Sequence, residues 1–184
     1  MTRRLSTLFT LALLTLLVGG CGNKSEVRTL GETEGIYVDV GGLSYQVQLS
    51  RVLNPNDLED KNYLKGIPST VLPAAKDESW FGVFMRVNNP SGKPVLSSNE
   101  FVMEDTQGNE FVPTVVDNPF AYKPKRLANN EIFPDPNSIS GEGDIQGSLV
   151  LFKVKNAALL NRPVELRITA PAPLSDSAVI DLDI

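Results

Sequence analysis

The feature that most constrains this chain is a two-residue period in its apolar positions, repeated in short runs that Gly, Pro and Asn interrupt. Trp80 to Asn88 shows it best. Phe81, Val83, Met85 and Val87 fall on one side, and Trp80, Phe84 and Arg86 on the other. Successive side chains of a strand point to opposite faces, so such a run is a strand with two distinct faces. The same alternation runs through Ile36 to Val40, Leu43 to Leu49, Phe101 to Met103, Ile145 to Val154, and Val164 to Ile168. Gly41-Gly42, Asn54 to Asp57, Asn89 to Gly92 and Asp105 to Asn109 separate the runs with turn-forming residues. Only Asp57 to Leu64 suits a helical turn, and Gly66 to Pro73 reads as extended or loop. The pattern predicts an all-β chain folded as an antiparallel β-sandwich. Val179 to Ile184 is expected at a sheet edge, with Asp181 and Asp183 guarding its outer face against further pairing.

The chain has one cysteine and no histidine. An internal disulfide is therefore excluded, and the core has to hold by packing. The usual general base at neutral pH and the commonest transition-metal ligand are missing. A serine triad is excluded too, and no Gly-x-Ser-x-Gly elbow or Ser-x-x-Lys pair is present. Seventeen basic against 22 acidic residues give a net charge of −5. Phosphate backbones repel such a chain, which argues against nucleic acid as a partner. No cofactor is expected.

Residues 1–20 have the three parts of an export signal. Arg3 and Arg4 are positive, Leu5 to Val18 is apolar, and small residues follow. The apolar run falls short of the roughly 20 residues needed to cross a bilayer. Val18-Gly19-Gly20-Cys21 resembles the lipobox of bacterial lipoproteins. That resemblance implies diacylglyceryl transfer to the Cys21 thiol and cleavage between Gly20 and Cys21. It places the chain at the cell membrane or outer membrane, lipid-anchored on the extracytoplasmic face. An ordinary secretory signal with an incidental cysteine is the alternative. Each buried CH₂ contributes about 0.8 kcal/mol, so several acyl chains on one residue make a stable anchor.

Residues 21–34 are polar and without period. They are expected to be the lipidated cysteine and a flexible tether spanning roughly 20 Å. Residues 35–184 then form the domain. Trp80 to Pro90, Phe101 to Phe111 and Gly147 to Val154 resemble a family of uncharacterised bacterial lipoproteins with an immunoglobulin-like sandwich, related to mycobacterial immunoprotective extracellular antigens. The resemblance implies the immunoglobulin-like fold over roughly Tyr37 to Ala170, and no catalytic residue.

Three groups of residues invite a functional reading. Asp135, Asn137, Glu142 and Asp144 are oxygen donors of the type that binds Ca²⁺, but the EF-hand glycine and flanking helices are missing, so a solvated acidic loop is expected and no metal. Read as a glycosidase pair, the same acids lack an aromatic sugar platform. Gly141 to Asp144 precedes a strand and carries an acid where a phosphate loop needs a cation, so it reads as a turn. Phe120, Tyr122, Lys123, Lys125 and Arg126 lie in a Pro-punctuated loop from Asp117 to Gly143. Two aromatics beside cations on an acidic domain are the composition of an interface centre, and the rings are then expected to be exposed. The other reading is that the rings pin a crossover loop. Trp80 is expected in the core. The reading that fits best is a non-enzymatic module of the cell envelope that binds an envelope protein or component. A structural spacer and a hydrolase using carboxylates alone are the rivals.

Overall fold

A computed structural model describes residues 27–184. The leader, Cys21 and the first half of the expected tether lie outside the described residues. The chain begins with β1 (Leu30–Gly31), β2 (Tyr37–Val40) and β3 (Leu43–Leu53). A single helical turn, α1 (Asp60–Tyr63), leads to β4 (Glu78–Asn88). Short strands follow: β5 (Val95–Leu96), β6 (Glu100–Glu104), β7 (Glu110–Phe111) and β8 (Pro113–Thr114). The expected loop holds β9 (Arg126–Leu127), β10 (Ile132–Phe133) and a second helical turn, α2 (Ile139–Glu142). The chain ends with β11 (Ser148–Lys155), β12 (Val164–Thr169) and β13 (Ser177–Leu182).

Two sheets face each other. One runs β2-β3-β4-β11-β8 and the other β1-β13-β12-β6-β7. The runs β3-β4-β11-β8 and β13-β12-β6 reproduce the A-B-E-D and G-F-C order of an immunoglobulin sandwich, as expected, with β7 added beside β6. Pairing is antiparallel except for β1, which runs parallel to β13 through Leu30–Val179 and Gly31–Ile180. The sheet therefore begins inside the segment read as tether. β13 is not an edge strand, since β1 covers one side of it and β12 the other. Asp181 instead sits directly across from Glu165, its like-charged neighbour on β12.

The alternation of β4 has a physical origin that single-face burial does not give. Phe81, Val83, Met85 and Val87 are buried between the sheets with Val150, Phe152, Leu166 and Ile180. Trp80 and Phe84 are buried on the opposite face with Leu53, Tyr63, Leu149 and Leu151. The α1 segment and the stretch from Val116 to Phe120 cover that second face. Trp80 is thus a core residue, 6% exposed, with Lys153 above its ring at 5.8 Å. On β3 the register shifts between Val47 and Leu49. This bulge carries Leu49 and Leu53 to the second cluster, whereas Leu43, Tyr45 and Val47 stay in the first. Strict alternation had put Leu49 on the face of Val47. Arg51 then reaches Asp60 with two bonds, one of 2.9 Å, and Asn54 N–H donates to the same carboxylate at 2.7 Å. That fastens α1 to β3.

The Asp105 to Asn109 turn is held by one carboxylate. Burial alone raises the Asp105 carboxyl, but donors from the Asn161 and Asn109 side chains and the Asn109 and Gln107 backbone outweigh it and lower it to about 2. A group lowered on folding contributes stability above its unfolded value of about 4 and loses it as pH falls through the folded value. Asp105→Asn is therefore expected to flatten the acid limb of the stability curve between about pH 4 and pH 2. Denaturant titrations across that range test it, and an unchanged acid limb counts against the assignment.

Candidate functional site

Neither of the facing sheets is closed at the side where β8 and β7 end them and β11 meets β7. The edge of β11 is covered piecemeal. β8 pairs at Leu151 and Phe152. A second piece, around Ala121, bridges Leu149: Leu149 N–H donates to Phe120 C=O at 2.7 Å, and Tyr122 N–H to Leu149 C=O at 2.8 Å. Between these pieces a cleft of about 430 Å³ opens into the sandwich. Its depth is hydrocarbon from Phe101, Val116, Leu149 and Val150, and Asp117 and Lys123 stand at its border.

The crossover that walls this cleft is bolted down at several points. Asn118, 8% exposed, donates through Nδ2 to Tyr63 C=O at 2.8 Å and Lys65 C=O at 2.9 Å. Its Oδ1 accepts Phe120 N–H at 2.9 Å, so one buried amide sets the loop's path. Ser97 N–H donates to Lys125 C=O, and Lys125 N–H to Ser97 Oγ at 3.0 Å. Tyr45 from β3 accepts Ser98 N–H at 2.7 Å, while Tyr122 donates its hydroxyl to Ser98 C=O at 3.0 Å. Burial pushes the Tyr45 phenol up to about 12 and the Tyr122 phenol well above the usual phenol range. Both hydroxyls stay protonated donors or acceptors, so the clamp on Ser98 is insensitive to ordinary pH.

Of the two readings of this cluster, the rings take the one in which they pin the crossover loop, not the one in which they are exposed contacts. Phe120 is half-buried, edge-on to Tyr63 at 4.8 Å. Tyr122 is half-buried between Phe101 at 5.0 Å and Phe133 at 5.4 Å, both edge-on. The partners of the rings, Tyr63, Phe101 and Phe133, come from distant segments, so the local sequence alone left both readings open. The three cations are exposed, and two are paired: Lys123 with Asp117 at 2.9 Å, Lys125 with Glu131. Arg126 reaches only Pro94 C=O, at 3.5 Å. Lys123 lowers the Asp117 carboxyl, and Lys125 lowers that of Glu131. Pairs this exposed are screened by water, so either lysine is free to exchange partners.

The oxygen donors weighed for Ca²⁺, Asp135, Asn137, Glu142 and Asp144, are not gathered into a metal-holding group. Asp135 accepts Asn137 N–H at 2.9 Å and so closes its own turn. Ser138 caps α2 by accepting Gly141 N–H, which makes Gly141 to Asp144 the end of a helical turn and the start of a loop. Among the described residues no group of three or more His, Cys, Asp or Glu has metal-holding geometry.

Fold and cleft together define an immunoglobulin-like sandwich with a lateral apolar opening. No family model matches the chain and no curated protein does, so the expected kinship with mycobacterial antigens has no match behind it. Solved structures do match. The yjhA protein from Bacillus subtilis shares 8% identity at a TM-score of 0.50, covering 83% of this chain and 99% of its own. The ycdA protein from Bacillus subtilis, provisionally named a lipoprotein, shares 12% identity at a TM-score of 0.46 over 79% of this chain. This chain spans 38% of the length of ycdA. An uncharacterised β-sandwich protein from Clostridium difficile 630 shares 9% identity at a TM-score of 0.33, covering 88% of this chain and all of its own. At these identities the likeness is one of fold.

Proposed function

We propose that the chain is a lipid-anchored, extracytoplasmic and non-enzymatic binding module, which holds an envelope component at its lateral cleft. The cleft is the observation that carries this reading. An opening of about 430 Å³ lined by core side chains is within the size of ordinary ligand sites, and a chain with no use for it gains by filling it. The leader supports the location: Arg3-Arg4, a short apolar run, and the chain's one cysteine at the expected cut. No helix among the described residues is long and apolar enough to cross a membrane, which fits anchoring through Cys21.

Photo-crosslinking from the cleft border in intact cells tests the reading. The wild type is expected to fractionate with membranes and to give one crosslinked band. Cys21→Ser should leave the membrane fraction. Ala121→Phe, which places a ring in the cleft mouth, should keep membrane location and lose the band. A band that survives Ala121→Phe in a folded protein rejects the cleft as the binding site.

A further inference from the structure

The segment from Asp117 to Lys125 is a wall between two clefts. On one side lies the apolar opening already described. On the other is a smaller hollow of about 260 Å³, bordered by Lys123, Lys125, Asp135, Ser138 and Ser148. Lys123 borders both. Its partner Asp117 is 87% exposed, and the pair is screened by water, so the ammonium is held loosely. Lys125 stands next along the same wall, 5.7 Å above the Phe133 ring. A hydrocarbon pocket thus has a cation at its mouth, on a chain whose net charge is −5.

The polar groups around the apolar cleft decide what kind of molecule fits. Leu149 has both backbone groups engaged, with Phe120 and Tyr122. Leu151 is paired to Thr114. Ala121 N–H is given to Asn118 C=O at 3.2 Å, and the Tyr122 hydroxyl to Ser98 C=O. A peptide entering here brings a donor and an acceptor per residue and finds those of Leu149 and Leu151, along the cleft's inner edge, already taken, which adds to its desolvation cost. A hydrocarbon chain brings neither. Its burial is favourable in proportion to area, and the lining offers Phe101, Val116 and Leu149 for contact.

We infer that the cleft takes one hydrocarbon chain whose anionic head group is held by Lys123 at its mouth: a fatty-carboxylate amphiphile of the kind envelope lipids supply. This rests on the binding reading above and names its ligand class. A carboxylate head replaces Asp117 at Lys123 and gains a charge-assisted bond. A cationic head is repelled by the Lys123 ammonium and reaches Asp117 only by displacing it.

The test uses the full chain carrying Cys21→Ser, so that no covalent lipid competes. Dodecanoate, hexanoate and dodecyltrimethylammonium are titrated calorimetrically below their micelle concentrations. Dodecanoate is expected to bind saturably with one site per chain, hexanoate at least tenfold more weakly, and dodecyltrimethylammonium not at all. Ala121→Phe should abolish dodecanoate binding. Lys123→Glu, an exposed substitution that leaves the core untouched, should weaken dodecanoate about tenfold and admit the cationic analogue. Absence of saturable dodecanoate binding overturns the inference, as does equal binding of the two dodecyl probes to the wild type. If Ala121→Phe fails to fold, the Lys123→Glu reversal still decides. Should dodecanoate not bind while Ala121→Phe still removes the crosslinked band in cells, the ligand class is wrong and the binding reading stands.

Discussion

Gly66→Ala is expected to destabilise the chain by about 3 kcal/mol and to deform the cleft. Gly66 has φ +76°, a left-handed backbone that costs an alanine roughly 1–2 kcal/mol. The contact matters more. A Cβ built there lies 2.1 Å from the Asp117 carbonyl oxygen and 2.6 Å from its carbon. Both are backbone atoms, and they cannot swing aside as a side chain would. Asp117 N–H also donates to Gly66 C=O at 3.1 Å, so the two segments are joined at the point where the methyl would separate them. Pushing a packed backbone apart adds about 1–3 kcal/mol. Gly35→Ala is the control. Gly35 has φ +80° with nothing within 4 Å of a built Cβ, so it carries the backbone cost alone. Urea denaturation of both variants separates the two effects. Equal losses would falsify the close approach as the cause. Because Asp117 borders the cleft, Gly66→Ala should also alter dodecanoate binding, whereas Gly35→Ala should leave it intact.

The strands that carry the fold were legible because their period is enforced along the whole run. β4 and β11 show both faces in the sequence, apolar on each, since each face meets a different apolar cluster. What could not be read is what depends on a partner remote in sequence. Leu30–Gly31 is too short to show a period, and only pairing with Val179 and Ile180 makes it a strand. The bulge after Val47 reverses the faces of β3 without any glycine to announce it. In the loop from Asp117 to Gly143, Leu127 and Phe133 are packed against the main core but lie between prolines and polar residues, with no regular spacing. The aromatic-and-cation cluster was visible, yet the ring and the charge turned out to serve different ends. Tyr122 faces inward and Lys123 outward, one residue apart on an extended segment. The cleft drew its lining from four separate stretches of chain, so no local pattern announced it.

Phe120→Ala decides between the two roles first assigned to that cluster. Phe120 packs edge-on against Tyr63, which in turn meets Phe84 edge-on at 4.9 Å. The chain of rings ties the crossover to the helical turn and to β4. Deleting a phenyl ring from such a site costs about 3–5 kcal/mol when it is fully enclosed, and the half-buried position points to the lower end, about 3 kcal/mol. An exposed interface ring would change stability by no more than about 0.5 kcal/mol. Tyr122→Phe provides the scale for the other ring. It keeps the packing on Phe101 and Phe133 and loses only the bond to Ser98 C=O, a loss of about 1–2 kcal/mol for a buried acceptor left alone. Phe120 does not border the apolar cleft, so Phe120→Ala should bind dodecanoate with unchanged affinity wherever it remains folded. The expected pattern is a large drop in the urea midpoint with intact binding for Phe120→Ala, and the converse for Lys123→Glu. If Phe120→Ala instead keeps its midpoint and loses the crosslinked band, the ring belongs to the interface and the packing seen here does not hold it.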